Sequence, residues 1–218
     1  MFTGLIETVG TVAELKTVAG GIRIRIRTDL ASVLSPGDSL AVNGVCLTIT
    51  SIDGGDVHAD IGPETARVTT LGALRPERRV NLERPMRADG LFGGHFVQGH
   101  VDGTGAVDAI RPDGDSHWLT ISFDRSLAPY LIHKGSVAVD GVSLTLAALG
   151  GSTFDVMIIP FTWTHTALSS LNVRDGVNIE CDMIGKYVAR SVQLTVEADR
   201  KVRPYGADLK GRPYGVEK

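Results

Sequence analysis

The sequence has few cysteines and no long apolar run. Cys46 and Cys181 are its only cysteines, and they are far apart and form no CxxC pair. Free thiols in a reducing compartment are therefore expected rather than a disulfide framework. No apolar stretch approaches the length of a membrane span. The first four residues, MFTG, lack the basic start and apolar run of a secretory signal. These absences predict a cytoplasmic protein without a membrane segment.

The sequence also lacks a large net charge and the sequence motifs of the common enzyme classes. The net charge of −3 at pH 7 gives no strong field for nucleic acid or an anionic membrane. The chain contains no GxGxxG after a strand, no phosphate-binding GxxxxGK[ST], no HExxH and no GxSxG. His95 and His100 are five residues apart, so on one strand they would point to opposite faces. We therefore expect no nucleic-acid partner and no metal site.

The sequence does contain one segment twice. Residues 42–48 (VNGVCLT) return as residues 139–145 (VDGVSLT), with five of seven positions identical and a spacing of 97 residues. The correspondence extends to three more pairs of segments: 4–10 with 99–105, 63–65 with 160–162, and 80–83 with 177–180. The chain is therefore a duplication of one module of about a hundred residues, which is large enough to bury its own core.

Each module is predicted to consist of short strands. Residues 22–27 (IRIRIR) alternate strictly, which is typical of a strand with one face in water. Similar patterns and Gly-rich turns predict further strands at 40–52, 57–61, 80–82, 101–110, 117–123, 136–149, 154–159 and 177–180, with short helical turns at 30–34 and 127–133. This pattern favours an all-β barrel or sandwich in each half.

After Asp182 the pattern becomes helical. Apolar residues recur at helical spacing from Ile184 to about Arg200. The apolar stripe of this helix either folds back onto its own barrel or contacts another subunit. The last residues are dominated by Pro, Gly and charge, which predicts a tail without a core. The predicted domains are a first barrel at 1–97, a second barrel at 98–182, a helix at 183–201 and a tail at 202–218.

The repeated strands carry polar residues on one face. Cys46 and Thr48 share such a face, and Ser143 and Thr145 occupy the matching positions of the second copy. Small hydroxyl and thiol groups suit hydrogen bonding to a polar heterocycle or a sugar-like chain. The alternative is a packed strand whose hydroxyl groups bond to neighbouring backbone. A relay from Asp140 through Ser143 to a histidine remains open, as does a purely structural role for the histidines.

Several motifs together resemble the riboflavin synthase family. They are residues 1–7 (MFTGLIE), the two copies NGVCLT and DGVSLT, residues 93–101 (GGHFVQGHV) and residues 177–180 (VNIE). The resemblance implies an all-β chain of two homologous six-stranded Greek-key barrels plus a C-terminal α-helix, assembled as a homotrimer. It implies that two molecules of 6,7-dimethyl-8-ribityllumazine exchange a four-carbon unit in each site. Riboflavin and 5-amino-6-ribitylaminopyrimidinedione are the implied products, and no cofactor or metal takes part.

The resemblance also assigns residues to the site. The first pocket would be lined by Gly4, Leu5, Ile6, Cys46, Leu47, Thr48, Asp60, Ile61, Gly62, Pro63, Glu64 and Thr65. The second would be lined by Gly99, His100, Val101, Lys134, Ser143, Leu144, Thr145, Met157, Ile158, Ile159, Pro160, Phe161 and Thr162. The implied catalytic candidates are Cys46, His100, Asp140, Ser143 and, for closing the site, Phe2. Phe161 departs from the family, which often has a polar residue at that position.

A second function of a different class fits the same motifs. A non-catalytic lumazine- or flavin-binding protein of this fold would need only one good pocket. Both halves here keep a threonine and a small thiol or hydroxyl at matching positions, which favours catalysis. An association with lumazine synthase is left open.

Overall fold

The structure is a computed structural model that describes residues 1–202 of the chain. Residues 203–218, which hold nearly all of the predicted tail, lie outside the described residues. The described residues form two barrels followed by a helix. This confirms the fold class expected from the sequence.

The first barrel closes through six antiparallel strands in the order β1-β2-β5-β4-β3-β6. Apolar residues of alternate positions, such as Val45, Leu47 and Ile49, point into its core. The strands are β1 (Thr8–Val18), β2 (Gly21–Arg27), β3 (Ser39–Val42), β4 (Val45–Asp53), β5 (Asp56–Ile61) and β6 (Arg79–Glu83).

The second barrel repeats this topology. Its strands close in the equivalent order, β7-β8-β11-β10-β9-β12, around a core that includes Leu119, Leu146 and Phe154. They are β7 (Gly103–Asp113), β8 (Ser116–Phe123), β9 (Ser136–Val139), β10 (Val142–Leu149), β11 (Thr153–Ile158) and β12 (Gly176–Cys181).

Each repeated motif is a hairpin, whereas we expected one strand over 40–52 and one over 136–149. The chain reverses at Asn43 and Gly44, where φ is 45° and 76°, and again at Asp140 and Gly141, where φ is 44° and 79°. Two successive left-handed residues form the turn that matches the twist of a tight hairpin. An Asn-Gly or Asp-Gly pair is the usual sequence signal for this turn.

Three α-helices complete the fold of residues 1–202. The short helices α1 (Pro63–Val68) and α2 (Pro160–His165) begin at prolines and were not predicted. The third, α3 (Met183–Val202), confirms the predicted C-terminal helix. The predicted helical turns at 30–34 and 127–133 are 3₁₀ segments at Asp29–Ser32 and Arg125–Tyr130. Among residues 1–202, none of the helices is both long and apolar enough to cross a membrane.

Two asparagines join the barrels reciprocally. The side-chain amide of Asn81 in β6 donates to the carbonyl of Asp140, and that of Asn178 in β12 donates to the carbonyl of Asn43, both at 2.9 Å. Both asparagines are only 1% exposed, so an amide left without these partners would be costly. Between them the two hairpin turns meet, and a Cβ on Gly44 would lie 2.7 Å from the Gly141 nitrogen. The junction thus relates the two barrels by an approximate two-fold axis.

We predict that Asp140→Asn stabilises the fold at alkaline pH. Burial raises the pKa of Asp140 to about 7, whereas an unfolded aspartate titrates near pH ~4. Between these values the folded state keeps a proton that the unfolded state has lost, so the free energy of unfolding falls as pH rises through this window. The amide side chain introduced by the substitution does not titrate, so it does not lower the free energy of unfolding as pH rises. Urea unfolding at pH 8 should show a gain of roughly 2–4 kcal/mol.

The reverse change in the other repeat is the matched control. The Oδ1 atom of Asn43 accepts the N–H of Asn81 at 2.7 Å, as Oδ1 of Asp140 accepts that of Asn178 at 2.8 Å. Asn43→Asp should therefore lower stability most at alkaline pH. Equal effects of either substitution at pH 5 and pH 8 would show that the buried carboxyl does not govern the pH dependence.

Candidate functional site

The segment before the first barrel lies against the second barrel. The backbone N–H of Ser143 in β10 donates to the carbonyl of Gly4 at 2.8 Å. Gly4 has a φ of +76°, and a Cβ there would lie 2.6 Å from Cβ of Ser143. Glycine is needed here both for the backbone conformation and for the close approach.

The segment before the second barrel lies against the first barrel in the same way. The backbone N–H of Cys46 in β4 donates to the carbonyl of Gly99 at 3.0 Å. Gly99 has a φ of +81°, and a Cβ there would lie 2.6 Å from Cβ of Cys46. The two entry segments, residues 2–6 and 97–101, are therefore exchanged between the barrels.

This exchange corrects the grouping expected from the sequence, which put residues 4–6 with Cys46 and residues 99–101 with Ser143. The packing of the next residues agrees with the exchange. Ile6 packs against the core of the second barrel, and Val101 packs against the core of the first. The two segments also pair with each other, because Phe2 and Val97 form an antiparallel bridge.

The second barrel has a cavity beside Ser143. Its volume is about 350 Å³. The lining brings together residues of β10, β11 and α2 that are distant in sequence. Seven of the residues expected for the second pocket line it: Lys134, Ser143, Leu144, Thr145, Met157, Ile159 and Thr162, together with Ala147. Hydroxyl groups, one ammonium group and apolar walls suit a polar ring that carries a hydroxylated chain.

His95 lies directly behind this cavity. Its Nδ1 atom is 2.7 Å from Oγ of Ser143, and the side chain is 7% exposed. Burial lowers the pKa of His95, so the imidazole is neutral near pH 7, although Asp182 acts in the opposite direction. Its Nε2 atom is buried without a hydrogen-bond partner among the described residues. A neutral imidazole at this distance is able to accept the Ser143 proton.

His95 was not among the residues expected in the site. The signal was the unusual segment at residues 93–100, from which His100 alone was expected to be catalytic. The structure separates them, because His100 is exposed on the entry segment that lies against the first barrel. The repeat offered no help, since the position equivalent to His95 in the first module would fall before Met1.

The equivalent face of the first barrel carries charge. Asp60 forms a double hydrogen bond with Arg23 at 2.7 and 2.9 Å, and Glu64 forms one with Arg67 at 2.9 and 2.6 Å. The arginine hydrogen bond lowers the pKa of each carboxyl group. The matching residues of the second barrel are Met157 and Phe161. Phe161 is exposed and stacks on His165 with ring centroids 4.0 Å apart. The two faces therefore share a backbone frame but differ in chemistry.

Two predicted catalytic residues lie away from solvent. The ring of Phe2 is fully buried between the barrels, in a cluster with Ala41, Val97 and Ala138. Asp140 is buried at the junction, where its carboxylate accepts the N–H of Asn178. Both contact protein atoms, which suits holding the barrels and entry segments in place. Within residues 1–202, no group of three or more His, Cys, Asp or Glu side chains is placed to hold a metal ion.

Solved structures share this fold. LumP complexed with riboflavin superposes with a TM-score of 0.78 at 24% sequence identity, covering 83% of this chain and 99% of that one. LumP complexed with 6,7-dimethyl-8-(1'-D-ribityl) lumazine gives a TM-score of 0.75 with the same identity and coverage. At this identity the likeness concerns the fold.

Sequence comparison assigns the family. The lumazine binding domain family matches twice, at residues 3–85 and 98–182. The chain is 43% identical to riboflavin synthase of Bacillus subtilis over 87% of this chain and 89% of that protein. It is 43% identical to riboflavin synthase of Mycobacterium tuberculosis, over 87% and 97%, and 39% identical to that of Schizosaccharomyces pombe, over 90% and 96%. With both of its repeats matched and these relatives covered nearly end to end, the chain belongs to the riboflavin synthase family.

Proposed function

We propose that the chain is a transferase that makes riboflavin from two molecules of 6,7-dimethyl-8-ribityllumazine. One molecule gives up a four-carbon unit and becomes 5-amino-6-ribitylaminopyrimidinedione, while the other accepts the unit and becomes riboflavin. The observation that carries the proposal is the duplicated pocket frame, in which Cys46 and Ser143 occupy equivalent places against Gly99 and Gly4.

The duplication suits this reaction because both reactants are the same compound. Two related pockets bind two copies of one molecule, and holding them together turns a bimolecular encounter into an intramolecular step. Such positioning is worth roughly 7–11 kcal/mol of barrier in favourable cases. The atoms lost by the donor equal those gained by the acceptor, so the reaction needs no outside oxidant or reductant.

The residues of the second pocket receive specific roles in this proposal. Lys134 and Thr145 hydrogen-bond the substrate, and Ser143 adds to or exchanges a proton with its ring system. His95 keeps the Ser143 hydroxyl oriented and accepts its proton. Cys46 is the equivalent group of the first pocket, and a thiol needs less help from a base than a hydroxyl does.

We propose a homotrimer assembled through α3. This helix exposes an apolar stripe in the isolated chain, formed by Ile184, Tyr187, Val188, Val192, Leu194 and Val196. A stripe of this size on a helix needs a partner. In such a trimer, the first barrel of one subunit and the second barrel of its neighbour would share a catalytic centre. A cytoplasmic location and an association with lumazine synthase stay predictions.

The direct test is incubation of the purified protein with the ribityllumazine. We expect riboflavin fluorescence to appear while two lumazine molecules disappear for each riboflavin formed. The same result is expected in EDTA. A protein that binds the lumazine and returns it unchanged would instead be the non-catalytic binding protein.

A double-mutant cycle tests the Ser143–His95 pair. Asparagine places a nitrogen or oxygen near the position of the histidine Nδ1 atom but does not accept a proton, so His95→Asn separates orientation from base catalysis. We expect Ser143→Ala and His95→Asn each to lower kcat by about tenfold or more. The double variant should have about the same kcat as the less active of the two single variants, because the two residues act as a unit.

His58→Asn is the control, since His58 is on β5 of the first barrel, away from the second pocket. It should leave kcat within about twofold. Losses that add in the double variant, or a His95→Asn enzyme with normal kcat, would contradict the assignment of the imidazole as the proton acceptor.

A further inference from the structure

A buried carboxylate at the end of β6 holds the first entry segment. Oε1 of Glu83 accepts the backbone N–H of Thr3 at 2.7 Å and its hydroxyl at 2.8 Å. Oε2 of the same residue accepts the N–H of Gly4 at 3.0 Å. Both carboxylate oxygens thus accept hydrogen bonds from Thr3 and Gly4, and the carbonyl of Gly4 in turn contacts Ser143.

The second repeat contains the same arrangement at the end of β12. Oε1 of Glu180 accepts the N–H of Gln98 at 2.7 Å, and Oε2 accepts that of Gly99 at 3.0 Å. The distances match those of the first repeat within the printed precision. Because the contact occurs in both repeats, it is a regular feature of the module.

Each entry segment is therefore fixed on two sides. On one side is the carboxylate of the barrel that the segment leads into. On the other side is the strand of the opposite barrel, where Ser143 or Cys46 donates its N–H to the glycine carbonyl. No room is left for a side chain at Gly4 or Gly99. Each segment thus lies between a carboxylate of one barrel and a strand of the other.

Carboxylates are needed at these places for a geometric reason. Two adjacent N–H groups point at one side chain, and a carboxylate meets them with two acceptor oxygens. Glutamine would turn an amide NH₂ toward one of these N–H groups. Burial raises the pKa of Glu83 and of Glu180, while the backbone donors act in the opposite direction. The fold keeps an acidic side chain in both places despite the cost of burying it.

We propose that Glu83 and Glu180 are positioning residues, and that each one sets the wall of the pocket on the barrel to which it does not belong. Glu83 of the first barrel positions residues 2–6 over the second pocket. Glu180 of the second barrel positions residues 97–101 over the first pocket. The catalytic consequence rests on the proposed function, whereas the structural consequence is measurable without substrate.

Alkylation of Cys46 by iodoacetamide measures the first pocket directly. Cys46 lies under the segment that Glu180 holds. Cys181 is fully buried, and burial raises the pKa of its thiol to about 12, so it does not compete for the reagent. We expect Glu180→Gln to accelerate alkylation of Cys46 by about tenfold in the native protein, because buried donors lose an acceptor. Glu83→Gln should leave the rate within about twofold.

Faster alkylation of Cys46 in Glu180→Gln but not in Glu83→Gln would exclude a general loss of stability as the cause. If each carboxylate only stabilised its own barrel, Glu83→Gln would expose Cys46, since both belong to the first barrel. Faster alkylation in Glu83→Gln, equal rates in the two variants, or no change in Glu180→Gln would each overturn the proposal. Glu14→Gln is the control, because Glu14 is an exposed carboxylate 3.6 Å from Arg25. Should Glu180→Gln fail to fold, Gly99→Ala displaces the same segment and should give the same acceleration.

The two tryptophans provide the reciprocal probe. Trp118 pairs with Met157, and Trp163 follows Thr162, so both stand beside residues that line the second pocket. In protein labelled with 5-fluorotryptophan, riboflavin should shift the ¹⁹F signals. Glu83→Gln should require about tenfold more riboflavin for the same shift, and Glu180→Gln should not. Weaker riboflavin binding in Glu180→Gln but not in Glu83→Gln would overturn the proposal. Absence of any shift in the wild type would contradict the proposed function and leave the alkylation result to decide the role of Glu180.

Discussion

The reciprocal amide bonds of Asn81 and Asn178 determine how the molecule is built. Each buried side chain belongs to one barrel and is satisfied by a hairpin turn of the other. Neither barrel is complete at this surface without its partner, and the close contact of Gly44 with Gly141 leaves one way to dock them. Once the turns meet in this way, each entry segment reaches the strand of the opposite barrel. The junction therefore decides which strand each entry segment contacts.

The symmetric frame carries side chains that are not symmetric. Ser143 has His95 within hydrogen-bond distance, whereas among the described residues no histidine is hydrogen-bonded to the Cys46 thiol. Lys134 has a left-handed φ of 66° and lines the second pocket, while its counterpart Gly37 meets the same backbone requirement at φ 96° without a side chain. A lysine in this conformation costs on the order of 1 kcal/mol, and in the proposed function its ammonium group hydrogen-bonds the substrate. Two identical substrates must act differently in the proposed reaction, one as donor and one as acceptor, and two pockets of different chemistry suit that requirement.

Much of the fold followed from the repeat, because equal turn signals at equal spacing predict equal modules. The hairpin at Asn43 and Gly44 was missed although the core positions change across the turn from even numbers (Leu40, Val42) to odd numbers (Val45, Leu47, Ile49). The exchange of entry segments was not predictable, since Gly4 and Gly99 are equivalent in the repeat and exchanging them leaves the alignment unchanged. Only the three-dimensional docking decides which strand each glycine meets. His95 escaped detection for a related reason, as its role depends on that docking.

In the proposed trimer, catalysis needs one pocket of each kind, taken from neighbouring subunits. Two inactive variants test it, one with Cys46→Ala and Thr48→Ala, the other with Ser143→Ala and Thr145→Ala. After the two proteins are unfolded together and refolded, an intact first pocket meets an intact second pocket at about a quarter of the subunit boundaries in a randomly mixed ring. Riboflavin formation should then return to about that fraction of the wild-type rate, while each variant refolded alone stays inactive. If the mixture also stays inactive although mixed oligomers form, catalytic centres are not shared between subunits, which would contradict the proposed trimer site.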